Sequence, residues 1–336
     1  NALTKTTTGA EHVAIGSFAL NEMLTGEACV AIGDKALQNN LGSSNTAVGY
    51  QSMDACTTGT AMVAVGRASL GAVTTGSGHV GVGQDALGTV TTGTNSTAVG
   101  HQALKVTTGS NNTALGYQAG VVISTGAQNT AVGTSAMAVC TTGQDNVAVG
   151  AFSMDTLTTG SDNTACGYNS LTNITTAANS VAVGESALEA VTTGNRNIGI
   201  GSNAGNLITT GAENTIIGYE AGSYTTNLIT GSSNVLVGAF THPNADGGTS
   251  QLVLGYNVSG TGDSTFTFGS GTTDTTCTMG QTTWSNPSDI RLKEDIQDEK
   301  VGLDFIKELR PVTFQWKKEK DIPSDMKAYK EGSEER

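Results

Sequence analysis

The sequence has few aromatic side chains and little charge. Aromatic residues make up 5% of the 336 positions and charged residues 13%, whereas glycine alone occupies 45 positions. A globular core of this length normally depends on aromatic side chains, because they bury the most area per residue. Alanine, valine, threonine, glycine and asparagine dominate here instead. The composition therefore argues against two ordinary globular domains and indicates a thin core of small side chains.

Further absences exclude whole classes of function. No run of 18 apolar residues is present, so we expect no membrane insertion, and no signal peptide is visible. The net charge of −13 repels polyphosphate, so we expect no nucleic-acid partner. The chain begins with Asn1 rather than methionine, and we expect it to be a fragment or a processed product.

The five cysteines show no paired spacing. Cys166 stands where sister repeats carry valine, and Cys56 and Cys140 precede Thr-Thr-Gly, where other repeats carry valine, leucine or isoleucine. Cys29 and Cys277 complete the set. We expect all of them to be small buried side chains rather than zinc ligands or disulfide partners.

What the sequence does contain is a repeat. Each repeat ends on a glycine that closes a block similar to Asn-Thr-Ala-Val-Gly, and successive closing glycines are 16 or 17 residues apart, with one step of 20. These closing glycines are Gly16, Gly33, Gly49, Gly66, Gly83, Gly100, Gly116, Gly133, Gly150, Gly167, Gly184, Gly201, Gly218, Gly238 and Gly255. A unit this short, rich in glycine and β-branched residues, opposes helical repeats and predicts one coil of a β-solenoid.

Aligned repeats show columns of similar side chains. Alanine or glycine stands two residues before the closing glycine, and valine or isoleucine stands one residue before it. A strand that is apolar on both faces must be covered on both. We expect the branched face to fill the coil's own interior and the alanine face to pack against a neighbouring chain, which predicts a homotrimer.

A third column, four residues before the closing glycine, is mostly asparagine. Stacked asparagine amides can form a hydrogen-bonded ladder along a solenoid. Calcium binding is the alternative, but no matching aspartate columns accompany the asparagines. We therefore expect a ladder, and neither a metal site nor any other cofactor.

The predicted fold class is all-β: a β-solenoid, or β-roll, of ~17-residue coils in a homotrimeric fibre, with a short α+β segment at the C-terminus. Fourteen steps at ~4.8 Å per coil span roughly 67 Å. We divide the chain into a repetitive solenoid (1–255), a β-rich transition (256–287) and a highly charged C-terminal segment (288–336). In that last segment Val301, Phe305 and Leu309 recur at helical spacing, Pro311 ends the predicted helix, and residues 312–316 alternate as a strand.

Two resemblances follow from these motifs. The blocks at 146–150, 179–184 and 197–201 resemble the head repeats of trimeric autotransporter adhesins, which commonly use a shorter coil of about 14 residues. The run Ser-Asp-x-Arg-x-Lys from residue 288, followed by the helix and by Arg-Pro-Val-Thr-Phe, resembles the intramolecular chaperone domain of phage tailspikes and tail fibres, best known from endosialidase. That family trimerises, sets the register of its fibre and cuts itself off.

Carried onto this chain, the resemblance implies self-cleavage between Ser288 and Asp289. Ser288 would be the nucleophile, Asp289 the new N-terminus, and Lys293 would help to move protons. The family domain is usually about twice as long as segment 288–336 and includes a histidine, whereas no histidine follows His242 here. We therefore interpret 288–336 as the start of the domain. The alternative is that Ser288 caps a structured segment and nothing is cut.

Two surface features are candidate recognition sites. The position after each closing glycine varies most and includes several tyrosines, which could stack on sugars or could merely cover neighbouring coils. The loop 239–250 interrupts the period and is a candidate for a specialised surface. No carboxylates pair at fixed positions in adjacent coils, so no acid/base pair of a glycosidase is visible.

These observations predict a structural and adhesive fibre segment at the virion tail that binds a glycan or protein receptor on the host surface. One alternative is a fragment of a polysaccharide-degrading tailspike. Another is a trimeric adhesin on a bacterial cell surface. Self-cleavage is the only enzymatic activity that the sequence suggests.

Overall fold

The seventeen-residue repeat forms a parallel β-solenoid in the computed structural model. The structure describes residues 2–5, 7–271, 274–281, 317–324 and 329–335. It divides the chain into two units, 1–287 and 288–336. The helix expected over 301–309 and the strand expected over 312–316 lie outside the described residues.

Each coil contributes one short strand to a sheet that runs through the whole solenoid. This 17-stranded sheet contains β1 (Val13–Ile15), β2 (Val30–Ile32), β3 (Thr46–Val48), β4 (Val63–Val65), β5 (Val80–Val82), β6 (Thr97–Val99), β8 (Thr113–Leu115), β10 (Thr130–Val132), β12 (Val147–Val149), β13 (Thr164–Cys166), β14 (Val181–Val183), β15 (Ile198–Ile200), β16 (Thr215–Ile217), β17 (Val235–Val237), β18 (Leu252–Gly255), β19 (Thr265–Gly269) and β20 (Thr275–Thr278). A second sheet of three strands contains β7 (Val106–Thr107), β9 (Val122–Ile123) and β11 (Val139–Cys140). The prediction of an all-β solenoid with coils of about 17 residues is confirmed.

The coils stack in register. Neighbouring strands are parallel, and equivalent residues pair, as Ala131 does with Ala148. The parallel stack continues beyond residue 255, because β18 pairs with β19. Among the strands that the structure describes, only the last pair, β19 with β20, is antiparallel. Among the residues that the structure describes in the 288–336 unit, the regular element is a 3₁₀ turn at Glu319–Asp321.

The core lies inside the coil of a single chain. The central alanine of nine strands, β2–β4, β6, β8, β10 and β12–β14, is buried, and so are, in most coils, a large apolar residue four positions after the closing glycine and another about seven positions after it. In one coil these residues are Leu188 and Val191. Gly199, which replaces alanine in its strand, shows how narrow the interior is, because a Cβ added there would lie 2.6 Å from Cγ of Leu188. The interior therefore accepts a methyl group at the strand and a large side chain opposite it.

This packing reverses the expected assignment of the two strand faces. We expected the branched residues inside and the alanines against a neighbouring chain, and that expectation is wrong. The alanines are buried within their own coil, whereas branched residues such as Val65 and Ile200 point outwards and are 37% and 38% exposed. The reason is the large residue across the interior, which leaves no room for a branched side chain in the strand. Where that residue is glycine, as at Gly205 and Gly222, the strand residues Ile216 and Leu236 do point inwards. The alanine column consequently gives no evidence for a trimer.

The expected asparagine ladder is confirmed. Nδ2 of Asn146 donates to Oδ1 of Asn129 at 3.1 Å, and Nδ2 of Asn163 donates to Oδ1 of Asn146 at 3.1 Å. Each amide also donates to a backbone carbonyl of the next coil, as Asn146 does to Gly160 at 3.0 Å. The ladder runs inside the solenoid and satisfies backbone groups that would otherwise be buried without a partner.

Four of the five cysteines behave as expected, and one does not. Cys29, Cys56, Cys140 and Cys277 are buried, but Cys166 is exposed. Burial raises the pKa of Cys56 and of Cys140 to about 11. Cys166 stands in the branched column of β13, so its side chain points outwards with the valines of that column.

His79 occupies the ladder position in its own coil and makes that coil sensitive to acid. Its Nδ1 accepts the backbone N–H of Ser96 at 3.2 Å, so Nε2 carries the proton and donates to the Gly93 carbonyl at 2.6 Å. Burial lowers the pKa of His79 below its usual 6.5. Since the unfolded chain then binds a proton more readily, folding stability is lost as the pH falls below about 6.5 and towards the lower folded pKa.

We expect His79→Asn to reduce this acid sensitivity, because asparagine fills the same ladder position in eight other coils. Between about pH 7.5 and about pH 5, the melting temperature of the variant should fall less than that of the natural chain. Circular dichroism melts measure the difference. His101→Asn, at a position on the outer surface, is the control. Equal falls for His79→Asn and the natural chain would contradict the assignment.

Candidate assembly and receptor surfaces

An apolar stripe runs along the outside of the solenoid. We define the outer stripe as the first and third residues of the fifteen parallel strands β1–β6, β8, β10 and β12–β18. Of its 30 positions, 23 are valine, isoleucine or leucine, six are threonine, one is Cys166, and none is charged. The most exposed of its large apolar residues are Ile15 at 58% and Leu115 at 50%.

The absence of charge sets the outer stripe apart from the rest of the described surface. Other outward positions carry ion pairs between coils, as Lys5 does with Glu22 at 2.6 Å and Arg196 does with Glu213. A contiguous apolar patch on an otherwise polar surface marks an interaction site. The stripe is therefore the first candidate functional surface.

A second candidate is a cluster of exposed aromatic rings. We define the aromatic cluster as Tyr219, Tyr224, Phe240 and Tyr256, which come from three consecutive coils. The Phe240 ring lies 5.4 Å from that of Tyr219, 4.6 Å from that of Tyr224 and 5.6 Å from that of Tyr256. The three tyrosines are 49%, 49% and 60% exposed. A hydrogen bond with the Glu220 carboxylate raises the pKa of the Tyr219 hydroxyl.

The expected position of the irregular loop is corrected by the structure. We placed the interruption at 239–250, but the three additional residues lie in the coil 219–237, where the asparagine ladder steps over 20 residues from Asn214 to Asn234. That insertion contains Tyr224. In the following coil, His242 is buried, and its Nε2 lies 2.7 Å from Oγ1 of Thr225 in the insertion.

The described parts of the 288–336 unit are held together by charge. The Glu334 carboxylate accepts hydrogen bonds from both Lys318 and Lys320, and these lower its pKa. Ser333 donates to the Glu319 carboxylate at 2.6 Å, and Lys330 lies 2.9 Å from it. Both contacts lower the pKa of Glu319. Two stretches that are separate in sequence therefore meet through carboxylates.

The predicted cleavage residues Ser288, Asp289 and Lys293 lie outside the described residues. The part of the chain that the structure does describe contains no group of three or more side chains able to hold a metal ion. Within the same described ranges, no helix is long and apolar enough to cross a bilayer.

The chain is thus a β-solenoid followed in sequence by a separate charged unit. Residues 288–331 match the family described as chaperone of endosialidase. This match agrees with the resemblance drawn from the Ser-Asp-x-Arg-x-Lys run. The family points to phage tail fibres and implies trimer formation. A comparison with curated proteins and another with solved structures each found no match.

Two surface features were not predicted from the sequence. The outer stripe was missed because its residues were assigned to the interior. Leucine or methionine stands four positions after ten of the fifteen closing glycines and could have corrected this, since it supplies the large interior side chain. The aromatic cluster was missed because Phe240 stands one position beyond the tyrosine column, and only the stacking of coils brings the four rings together.

Proposed function

We propose that this chain is a structural and receptor-binding segment of a phage tail fibre. Three copies would assemble through the C-terminal chaperone segment 288–336. The family match over 288–331 is the observation that carries this proposal.

The solenoid explains why such a segment is needed. Its coils pair equivalent residues throughout, and most coils resemble their neighbours, so a slip by one coil retains most contacts. Three chains that begin out of register would be trapped with unmatched ends. A C-terminal unit that brings the chains together first removes this ambiguity, because winding then starts from one fixed point.

Light scattering of the purified full chain tests the assembly. We expect a mass of three times the 34.0 kDa chain. Deletion of 288–336 should lower the yield of trimer on refolding and increase aggregated material, whereas the full chain refolds to trimer. A monomeric full chain would refute the proposal. Depolymerisation of host polysaccharide by the full chain would instead favour the tailspike alternative.

We further propose that the aromatic cluster binds a surface glycan. Exposed aromatic rings with hydroxyl groups offer both an apolar face for a sugar ring and hydrogen bonds for its hydroxyls. Glu220 contacts Tyr219, and the negative potential of Glu185 also reaches that tyrosine. These carboxylates disfavour anionic sugars, so the preferred ligand is a neutral glycan.

Binding to a panel of neutral and sialylated oligosaccharides tests this site. Phe240→Ala should abolish binding of neutral glycans, because Phe240 contacts all three tyrosines of the cluster. Tyr50→Ala is the matched control, since Tyr50 occupies the same column as Tyr219 in a distant coil. Preference for sialylated glycans, or equal losses in both variants, would exclude the cluster as the receptor site.

Self-cleavage between Ser288 and Asp289 is proposed as the activity of the chaperone segment, with Lys293 assisting proton transfer. The support is the family match, which begins at Ser288 itself. The intact mass of the expressed protein measures cleavage, and Ser288→Ala should leave the chain whole. If the natural chain is also whole, Ser288 has the capping role alone.

A further inference from the structure

The outer stripe leaves large apolar side chains partly exposed along its whole length. Neighbouring coils lie ~4.8 Å apart, and the two outward residues of each strand lie ~7 Å apart. Fifteen strands therefore give the stripe an area on the order of 500 Å². Apolar patches of this size are often functional. Since the stripe recurs in fifteen strands, a suitable partner offers apolar contacts at the same spacing as the coils.

We propose that the outer stripe is the surface through which three parallel copies of this chain pack around a common axis. The inference rests on the proposed trimer and adds the face that each copy uses. Another copy in register presents the same spacing at every coil, which an unrelated protein does not. β-branched side chains on a short, flat strand pack closely against an identical surface. The other described faces carry ion pairs between coils and suit water.

Burial within the single chain stops at the outer stripe. Each chain encloses its own alanine and leucine core, so a partner is not needed to fill the interior. What remains uncovered is the branched face. Packing of three such faces would remove from water the large apolar side chains that a single chain leaves partly exposed, and this gain is proportional to the area buried.

Cys166 provides a native probe of this interface. It lies in the stripe between Val149 and Val183 and is exposed in the single chain, whereas the other four cysteines are buried. We expect N-ethylmaleimide to label Cys166 in the intact trimer at least about tenfold more slowly than it labels the cysteine introduced by Thr134→Cys, because access controls the reaction. Thr134 is exposed and follows the closing glycine of its coil, outside the stripe.

The outcomes separate the interface from the assembly itself. A trimer by light scattering in which Cys166 reacts as fast as the control cysteine overturns the interface and leaves the trimer standing. A monomeric chain overturns both. A protected Cys166 in a trimer supports the inference.

Charge placed in the stripe gives a second measurement. Val65→Lys together with Val132→Lys should convert the trimer to monomer and restore fast labelling of Cys166, because the ammonium groups would be buried without partners. Circular dichroism should still report the β-solenoid, since both side chains point away from the core. Thr134→Lys should remain trimeric. A trimer that persists with both lysines in the stripe contradicts the proposal.

Discussion

Gly133→Ala is expected to lower the free energy of unfolding by about 3 kcal/mol or more. Gly133 has a φ of +130°, which side chains rarely adopt. A Cβ at this position would lie 2.6 Å from the carbonyl carbon and oxygen of Gly150 in the next coil. Backbone meets backbone here, so the clash is relieved only by separating the two coils, which breaks the ladder hydrogen bonds between them.

Thermal and urea unfolding, followed by circular dichroism, measure this loss. Thr134→Ala is the control, because it changes the adjacent exposed residue and introduces the same side chain. A melting temperature for Gly133→Ala equal to that of the control would show that the closing glycines are not required at the corner.

Asn146→Ala is expected to cost about 2–5 kcal/mol, because two buried backbone groups lose their partners. Oδ1 of Asn146 accepts the Asn163 N–H at 3.0 Å, and Nδ2 donates to the Gly160 carbonyl at 3.0 Å. Alanine replaces neither bond. The ladder asparagines and the side chains around them are buried, so the orphaned N–H and C=O are not rehydrated without opening a coil.

Two variants control for the Asn146 result. Gln144→Ala alters an exposed residue in the same turn and should leave the unfolding curve unchanged. Met62→Asn places an amide at a ladder position that lacks one, beside Asn45, whose Oδ1 already accepts the Met62 N–H. We expect no loss of stability for Met62→Asn. A large loss in Gln144→Ala would mean that the turn, not the amide, explains the effect at position 146.

The closing glycine and the ladder asparagine both control how neighbouring coils associate. The closing glycine sets how closely successive coils approach, and the asparagine amide joins them once they are close. Both act between coils rather than within one, so damage at a single coil interrupts the stack on both sides. In this respect the chain resembles other repeat proteins, whose stability depends on contacts between neighbours.

The backbone has an unusual conformation that the columns of the sequence did not predict. Leu188 and its equivalents have positive φ values, 52° for Leu188 itself, which is unusual for a bulky residue. Gly205 and Gly120 occupy the same position in two other coils, with φ values of 59° and 56°. The strain is offset because the large side chain is wholly buried in the core.

The sequence by itself determined the period, the all-β solenoid and the asparagine ladder. Repetition is a one-dimensional property, and residues that recur every 17 positions must stack if each coil resembles the next. The C-terminal assembly segment was equally visible, because its motif is local. None of these conclusions needed a contact between distant residues.

Only the tertiary structure decided which side of each strand is inside. Alternation along a strand defines two faces but does not say which of them meets the opposite wall of the coil. The Leu column occupies that wall and leaves space for a methyl group, so alanine points inwards and Val65, Cys166 and Ile200 point outwards. The aromatic cluster has the same origin, since its rings come from separate coils and meet only when those coils are stacked.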